Sequence, residues 1–228
     1  IYLYIRKDIT SMAVQKRAIN DRDKQKRRDK ILRTAWQLYK KTDGKLPTVS
    51  VIAQKAGLSK GCVYLYFKTK NEIFLHLFMH QLVQWQASVE EHLRKTDQKL
   101  SETDYARICT DYVVKNPLLL KMGSIAPTIL EESTDERVVL DVRIQLAKIL
   151  DDRSRLTRKL FPGLSMAQWM NVHLRIYALI FGLWQMFYNS PHINQVLQNT
   201  RIDMFESDFK ESVVSSVATF LKGALIAS

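Results

Sequence analysis

The fold is legible first in one stretch, Thr48-Val-Ser-Val-Ile-Ala-Gln-Lys-Ala-Gly-Leu-Ser-Lys-Gly-Cys-Val-Tyr-Leu-Tyr-Phe67. Thr48 is a good N-cap, because its hydroxyl can accept a bond from an unpaired backbone N–H of a first helical turn. It predicts a short helix over Val49–Lys55 that buries Ile52, Ala53 and Ala56. Gly57 permits a tight turn, Leu58 fills the corner, and Ser59 caps another helix from Lys60 to about Phe67. A small residue, a glycine, an apolar corner and a capped short helix, in that order, are helix-turn-helix grammar. Only Val63 and Phe67 in the last helix are bulky and inward, which leaves Lys60, Gly61, Cys62, Tyr64 and Tyr66 for a groove. Gly61 is about 1 kcal/mol worse than alanine inside a helix, so it points to a close approach of the backbone to something outside.

Upstream, Asp21 to Lys41 reads as a first helix. Ile31, Leu32, Ala35, Leu38 and Tyr39 form its apolar stripe, and Lys24, Lys26, Arg27, Arg28, Lys30 and Arg33 crowd its start. Asp43-Gly44 ends it, and Pro47 blocks a restart before Thr48. Downstream, Thr69-Lys-Asn-Glu72 is a capping box that starts a fourth helix at Lys70, running to about Lys95.

Charge is divided as sharply as structure. Residues 1–80 hold 18 Lys and Arg against six Asp and Glu, leaving 17 of each from the totals of 35 and 23, so the formal +12 is an N-terminal property. Such a split predicts a polyanion, nucleic acid or anionic membrane, as partner of the basic end. With 228 residues, 46% of them hydrophobic, seven Gly and five Pro, the chain can bury a sizeable core, and its long helical periods predict an all-α protein. Cys62 and Cys109 make no disulfide framework, which suits a reducing cytoplasm. Ile176–Tyr188 falls short of the ~20 apolar residues that span a bilayer, and no secretory leader is evident, so no membrane partner is expected. Because Met12 follows the opening Ile1-Tyr-Leu-Tyr-Ile5, residues 1–11 read either as natural sequence or as residues upstream of it.

The Thr48–Phe67 stretch, with Lys68-Thr-Lys-Asn-Glu-Ile-Phe74 after it, resembles the TetR family of bacterial transcriptional regulators; Ser-Lys-Gly-x-x-Tyr-x-Tyr-Phe-x-x-Lys stands intact at 59–70. The resemblance covers about residues 24–80, and Tyr177-Ala-Leu-Ile-Phe-Gly-Leu-Trp-Gln185 looks like one of the family's C-terminal variants. It implies that Thr48 and Ser59 bind phosphates through hydroxyl and backbone N–H, and that Lys60, Gly61 and Cys62 open the reading helix. Tyr64 and Tyr66 would lie beside the backbone, and Lys70, with Lys68 near it, would anchor phosphate. Such groups position a protein on phosphates while groove-facing side chains read bases. Cys62 and Leu65 depart from the family's usual hydroxyl or amide and aromatic residues, which bears on the operator sequence rather than on binding.

The expected organisation is an N-terminal extension (1–20), a three-helix helix-turn-helix DNA-binding domain (21–69) and a larger helical ligand-binding and dimerisation domain (70–228). Helices are predicted at about Thr103–Val114, Pro117–Gly123, Asp135–Leu160, Met166–Asn189 and Phe205–Ile226, with capping boxes at Ser133-Thr-Asp-Glu136 and Ser165-Met-Ala-Gln168. Relatives dimerise through their last two long helices, and the apolar ones here fit. Two half-sites ~34–36 Å apart call for two-fold symmetry. A small effector would lie among Trp85, Tyr105, Cys109, Tyr112, Met122, Arg143, Trp169, Arg175 and Tyr177, each of which also reads as ordinary core or surface. A buried Arg143 or Arg175 without a carboxylate would favour an anionic ligand such as a fatty acid or acyl thioester; a salt bridge to Asp111, Asp141 or Glu132 is the plainer expectation.

Glu72, His76 and His80 have metal-ligand spacing on one helix face, but no further cluster completes a site, so no metal and no cofactor is expected. With no phosphate loop, nucleophile elbow or H-E-x-x-H, neither is an enzyme. The resulting expectation is a homodimeric cytoplasmic repressor that binds a pseudo-palindromic double-stranded DNA operator and is released by a small molecule. A membrane-surface module, an architectural DNA binder without ligand, and an activator or co-repressor-dependent regulator of the same fold remain alternatives.

Overall fold

The computed structural model describes residues 2–96, 100–188 and 208–226. The described residues are helical, without strands. The chain divides into two compact units, 1–77 and 78–228.

In the first unit, α1 spans Tyr2–Lys41, α2 Val49–Ala56 and α3 Lys60–Tyr64. The fourth helix, α4 (Lys70–Arg94), begins here and continues into the second unit. The first helix starts well before the Asp21 expected, since residues 1–41 contain neither Gly nor Pro to break it. Of its expected apolar stripe Ile31, Ala35 and Tyr39 are buried, with Ile52, Ala53, Ala56, Val63, Phe67 and Phe74, while Leu32 and Leu38 are half-buried. Gly57 adopts φ +63°, and the N–H of Leu58 returns to the carbonyl of Ala53 at 2.9 Å, closing α2. α3 is shorter than predicted. After Tyr64 the N–H groups of Tyr66 and Phe67 both bond the Val63 carbonyl (3.0 and 3.1 Å), a tighter turn that carries Phe67 into the core.

The second unit adds α5 (Glu102–Lys115), α6 (Pro117–Ile125), α7 (Glu136–Leu160), α8 (Met166–Phe187) and α9 (Phe209–Ile226). α9 packs on α5 and α8, and α7 packs on α8. The predicted residues 189 and 205–207 lie outside the described ones. α6 does not stop at Gly123 but passes into a π-helical turn, Ala126–Leu130, closed by Glu131 N–H on the Ala126 carbonyl at 2.9 Å. Pro127, which has no N–H to give the α ladder, sits where the winding changes.

The Ser165 capping box forms in both directions. The one expected at Ser133 does not: Asp135 caps α7 by accepting from Arg137 N–H (2.9 Å), while Ser133 donates back to the Ile129 carbonyl (3.1 Å). The preceding turn consumes Ser133, and a carboxylate is an equally good cap. Among the described residues no helix is long and apolar enough to cross a membrane.

Candidate nucleic-acid interface and ligand cavity

The first unit holds its short helices by hydroxyl caps. Thr48 Oγ1 accepts from Val51 N–H at 3.3 Å, and Ser59 Oγ from Cys62 N–H at 3.1 Å. Thr69 Oγ1 accepts from Glu72 N–H (3.0 Å), but the Glu72 carboxylate returns to the N–H of Lys68, one residue before the expected one, at 2.6 Å. Glu72 is thereby committed to capping, and among the described residues no group of three His, Cys, Asp or Glu side chains could hold a metal.

With Val63 and Phe67 inward, the other side of α3 faces solvent. Thr48, Ser59, Lys60, Gly61, Tyr64 and Lys68 are exposed, and Cys62, Tyr66 and Lys70 are half-buried. Lys60 Nζ lies 5.9 Å from the Tyr64 ring centroid, and the Arg28 guanidinium 5.1 Å from that of Phe67. Gly61 has no internal reason to be glycine: a Cβ there would come no closer than 3.9 Å to Ser59 Oγ. Leu65, passed over as a contact in the sequence, is 77% exposed beside Tyr64.

In the second unit most of the proposed effector residues are core. Trp85, Tyr105, Cys109, Met122 and Trp169 are buried completely. Trp85 Nε1 donates to the Cys109 carbonyl at 2.7 Å, and Trp169 Nε1 to that of Phe161 at 3.3 Å. Tyr112 is half-buried and donates to Gln81 Oε1 at 3.4 Å. Burial pushes the Cys109 thiol up, and the Tyr105 and Tyr177 phenols likewise, so all three stay protonated at neutral pH.

Neither arginine singled out in the sequence is buried. Arg175 is exposed, and Arg143 pairs on the surface with Glu131 at 2.6 Å, a different carboxylate from the three expected. The buried guanidinium belongs to Arg153, which the sequence hides among Asp151, Asp152 and Arg155. Its signal was periodicity: the apolar stripe Val142, Ile149, Leu150 continues at helical spacing onto Arg153, Ser154 and Thr157, all buried.

A cavity of about 380 Å³ is lined by Phe78, Leu82, Leu146, Tyr177 and Phe181, with Arg143 and Glu131 also on its wall. A second space, of about 900 Å³, lies between α5 and α9 and is lined by Arg107, Asp111, Lys210 and Glu211 among others. Of the nine effector residues, Tyr177 and Arg143 line the first, and none lines the second.

Residues 31–77 match the family described as bacterial regulatory proteins, tetR family, and residues 79–228 match the tetracyclin repressor-like C-terminal domain. The fatty acid metabolism regulator protein of Bacillus subtilis is 40% identical over 47 residues, 21% of this chain and 24% of that one. The uncharacterized HTH-type transcriptional regulator YfiR of Bacillus subtilis is 32% identical over 74 residues, 32% of this chain and 33% of the other. The chain thus aligns with about a quarter to a third of these relatives' lengths. The fatty acid degradation regulator FadR from Bacillus halodurans superposes with a TM-score of 0.52 at 16% identity, over 84% of this chain and 94% of that one, a likeness of fold.

Proposed function

The chain is a member of the TetR family of bacterial transcriptional regulators, and we propose that it is a dimeric repressor released from its operator by a small molecule. The observation that carries the DNA reading is the outer side of the capped α3. Lys60, Tyr64 and Leu65 are exposed there, next to a glycine that internal packing does not require. On this reading Lys60, Gly61, Cys62 and Leu65 meet base edges, while Thr48, Ser59, Tyr64, Tyr66, Lys68 and Lys70 hold the phosphate backbone. The exposed side of Leu65 suits a thymine methyl.

Two copies would present two such helices to a pseudo-palindrome. Dimerisation through α8 and α9 is supported by exposed apolar side chains on both: Leu174 and Met186 on α8, Ile226 on α9. A monomer mass in sedimentation equilibrium at micromolar concentration would overturn the dimer. The effector acts by preferring a conformation that fits the operator badly, since a ligand with equal affinity for both states shifts nothing. A DNA-bound repressor of this kind works in the cytoplasm.

The test is fluorescence anisotropy with upstream DNA and with scrambled DNA across a salt series. Preference for the upstream fragment at physiological salt is expected. Lys60→Ala or Tyr64→Ala should weaken that binding by about 1–3 kcal/mol, roughly five- to 150-fold, with helical content unchanged. Unchanged affinity in both variants would sink the assignment of α3 as the reading helix.

A further inference from the structure

Arg153 is the second unit's unexplained charge. It is 1% exposed, and a guanidinium stays charged at any physiological pH. Its Nε donates to Gln86 Oε1 at 2.6 Å, but among the described residues Nη1 and Nη2 have no hydrogen-bond partner. Countercharge is one amide away and already shared. Gln86 Nε2 donates to Glu90 Oε1 at 2.7 Å, and Glu90 Oε2 accepts from Arg94 at 3.2 Å. His173, the other titratable base of this core, is held neutral by burial and by the Arg153 charge, and an imidazole carries no negative charge to offer in either form.

A leucine or methionine would fill this position without burying an unpaired cation. The fold therefore does not account for the arginine, and a ligand can. Trp85 and Tyr177 lie against the guanidinium, at 5.5 and 5.8 Å from ring centroid to Cζ. The Tyr177 hydroxyl is itself buried without a partner among the described residues. Tyr177 is also a wall of the 380 Å³ cavity, where it shares an apolar lining with Phe78, Leu82 and Phe181. One residue thus touches both an uncompensated cation and an apolar space.

We propose that Arg153, Tyr177 and this cavity form one receptor for a carboxylate carried on a flexible apolar body. Arg153 does not itself line the cavity, so the Tyr177 side chain swings aside to admit the head. The head then takes two parallel hydrogen bonds from Nη1 and Nη2 and a third from the Tyr177 hydroxyl, while the body lies against Leu82 and Phe181. A carboxylate matches the planar fork of a guanidinium and brings the one negative charge needed. A phosphate dianion would leave surplus charge in an apolar core, and an alcohol would leave the cation uncompensated. The proposal names a ligand class for the effector reading above and rests on it.

The test is isothermal titration of the full chain with octanoate, decanoate and dodecanoate below their micelle concentrations, against the 1-alkanols of equal length. One carboxylate per chain is expected, bound about tenfold or more tighter than the matching alcohol, as for a charge-assisted pair. Arg153→Met should reduce that preference to near unity with its circular dichroism retained. Arg153→Lys, which keeps the charge but not the fork, should weaken carboxylate binding by about fivefold or more. Equal binding of carboxylate and alcohol by the wild type, binding of no alkanoate, or full affinity in folded Arg153→Met each overturns the site. The wild-type comparison stands even if neither variant folds. Operator anisotropy separates the two readings: dodecanoate bound without DNA release keeps the site and sinks effector control, whereas release by a different ligand with no alkanoate binding does the reverse.

Discussion

The Tyr105 hydroxyl lies 2.8 Å from Nε2 of His173, and the buried protons around them assign the imidazole tautomer. Ser154 donates to the Leu150 carbonyl (2.6 Å) and Thr157 to that of Arg153 (2.9 Å), so neither hydroxyl has a second proton for the ring. Ser154 Oγ, 3.0 Å from Nδ1, must then accept, which puts the proton on Nδ1 and makes Nε2 the acceptor from Tyr105. Three helices, α5, α7 and α8, meet at this one neutral ring.

Acid should loosen that junction. Burial first, and then the Arg153 charge, hold His173 well below its usual 6.5. Between the folded and unfolded values the unfolded chain binds the extra proton. Stability from this residue is therefore complete above about 6.5 and is lost as pH falls below it, by up to about 1.4 kcal/mol per pH unit. Denaturant midpoints from pH 8 to 5 should show that slope, and His173→Gln should flatten it. An identical slope in the variant would assign the acid sensitivity elsewhere.

Gly61→Ala should separate folding from recognition. Alanine fits without contact closer than 3.9 Å and favours the helix by about 1 kcal/mol, so the denaturation midpoint should rise. Operator affinity should fall by about tenfold, the scale of one lost base contact. A variant both stabler and equally tight would remove the argument that DNA approaches this backbone.

Gly123→Ala should do the opposite. A Cβ at 123 would collide with the Phe181 ring, and overpacking of that kind costs roughly 1–3 kcal/mol. Phe181 also lines the cavity, so ligand affinity should drop along with stability in chemical denaturation and titration. Wild-type values for both would show that the ring turns away freely.

The DNA-binding end was legible because each of its devices is local. Thr48, Gly57, Ser59 and Thr69 act on backbone within a few residues of themselves, and the structure uses all four. The second unit was less legible because its meanings are long-range. Arg153 and Gln86 are 67 positions apart, and His173 finds its partners on two other helices. Locally Arg153 looks like one more solvated cation, and only the continued spacing from Val142 through Thr157 gives it away. At Ser133 a local signal misled, since Asp135 two residues on could serve as the cap equally well.

The hydroxyl caps at Thr48 and Ser59 accept through oxygen lone pairs, and the cap itself does not use the O–H proton. Starting a helix requires an acceptor, and gripping a phosphate requires a donor. On the proposed DNA reading one atom does both jobs, and they can be pulled apart chemically. Thr48→Asp with Ser59→Asp should keep both helices, as aspartate caps as well as serine, while setting negative charge against the duplex. Melting curves would check the first half and anisotropy the second. Such a protein would be a folded decoy, able to soak up effector in a cell while leaving the genome untouched.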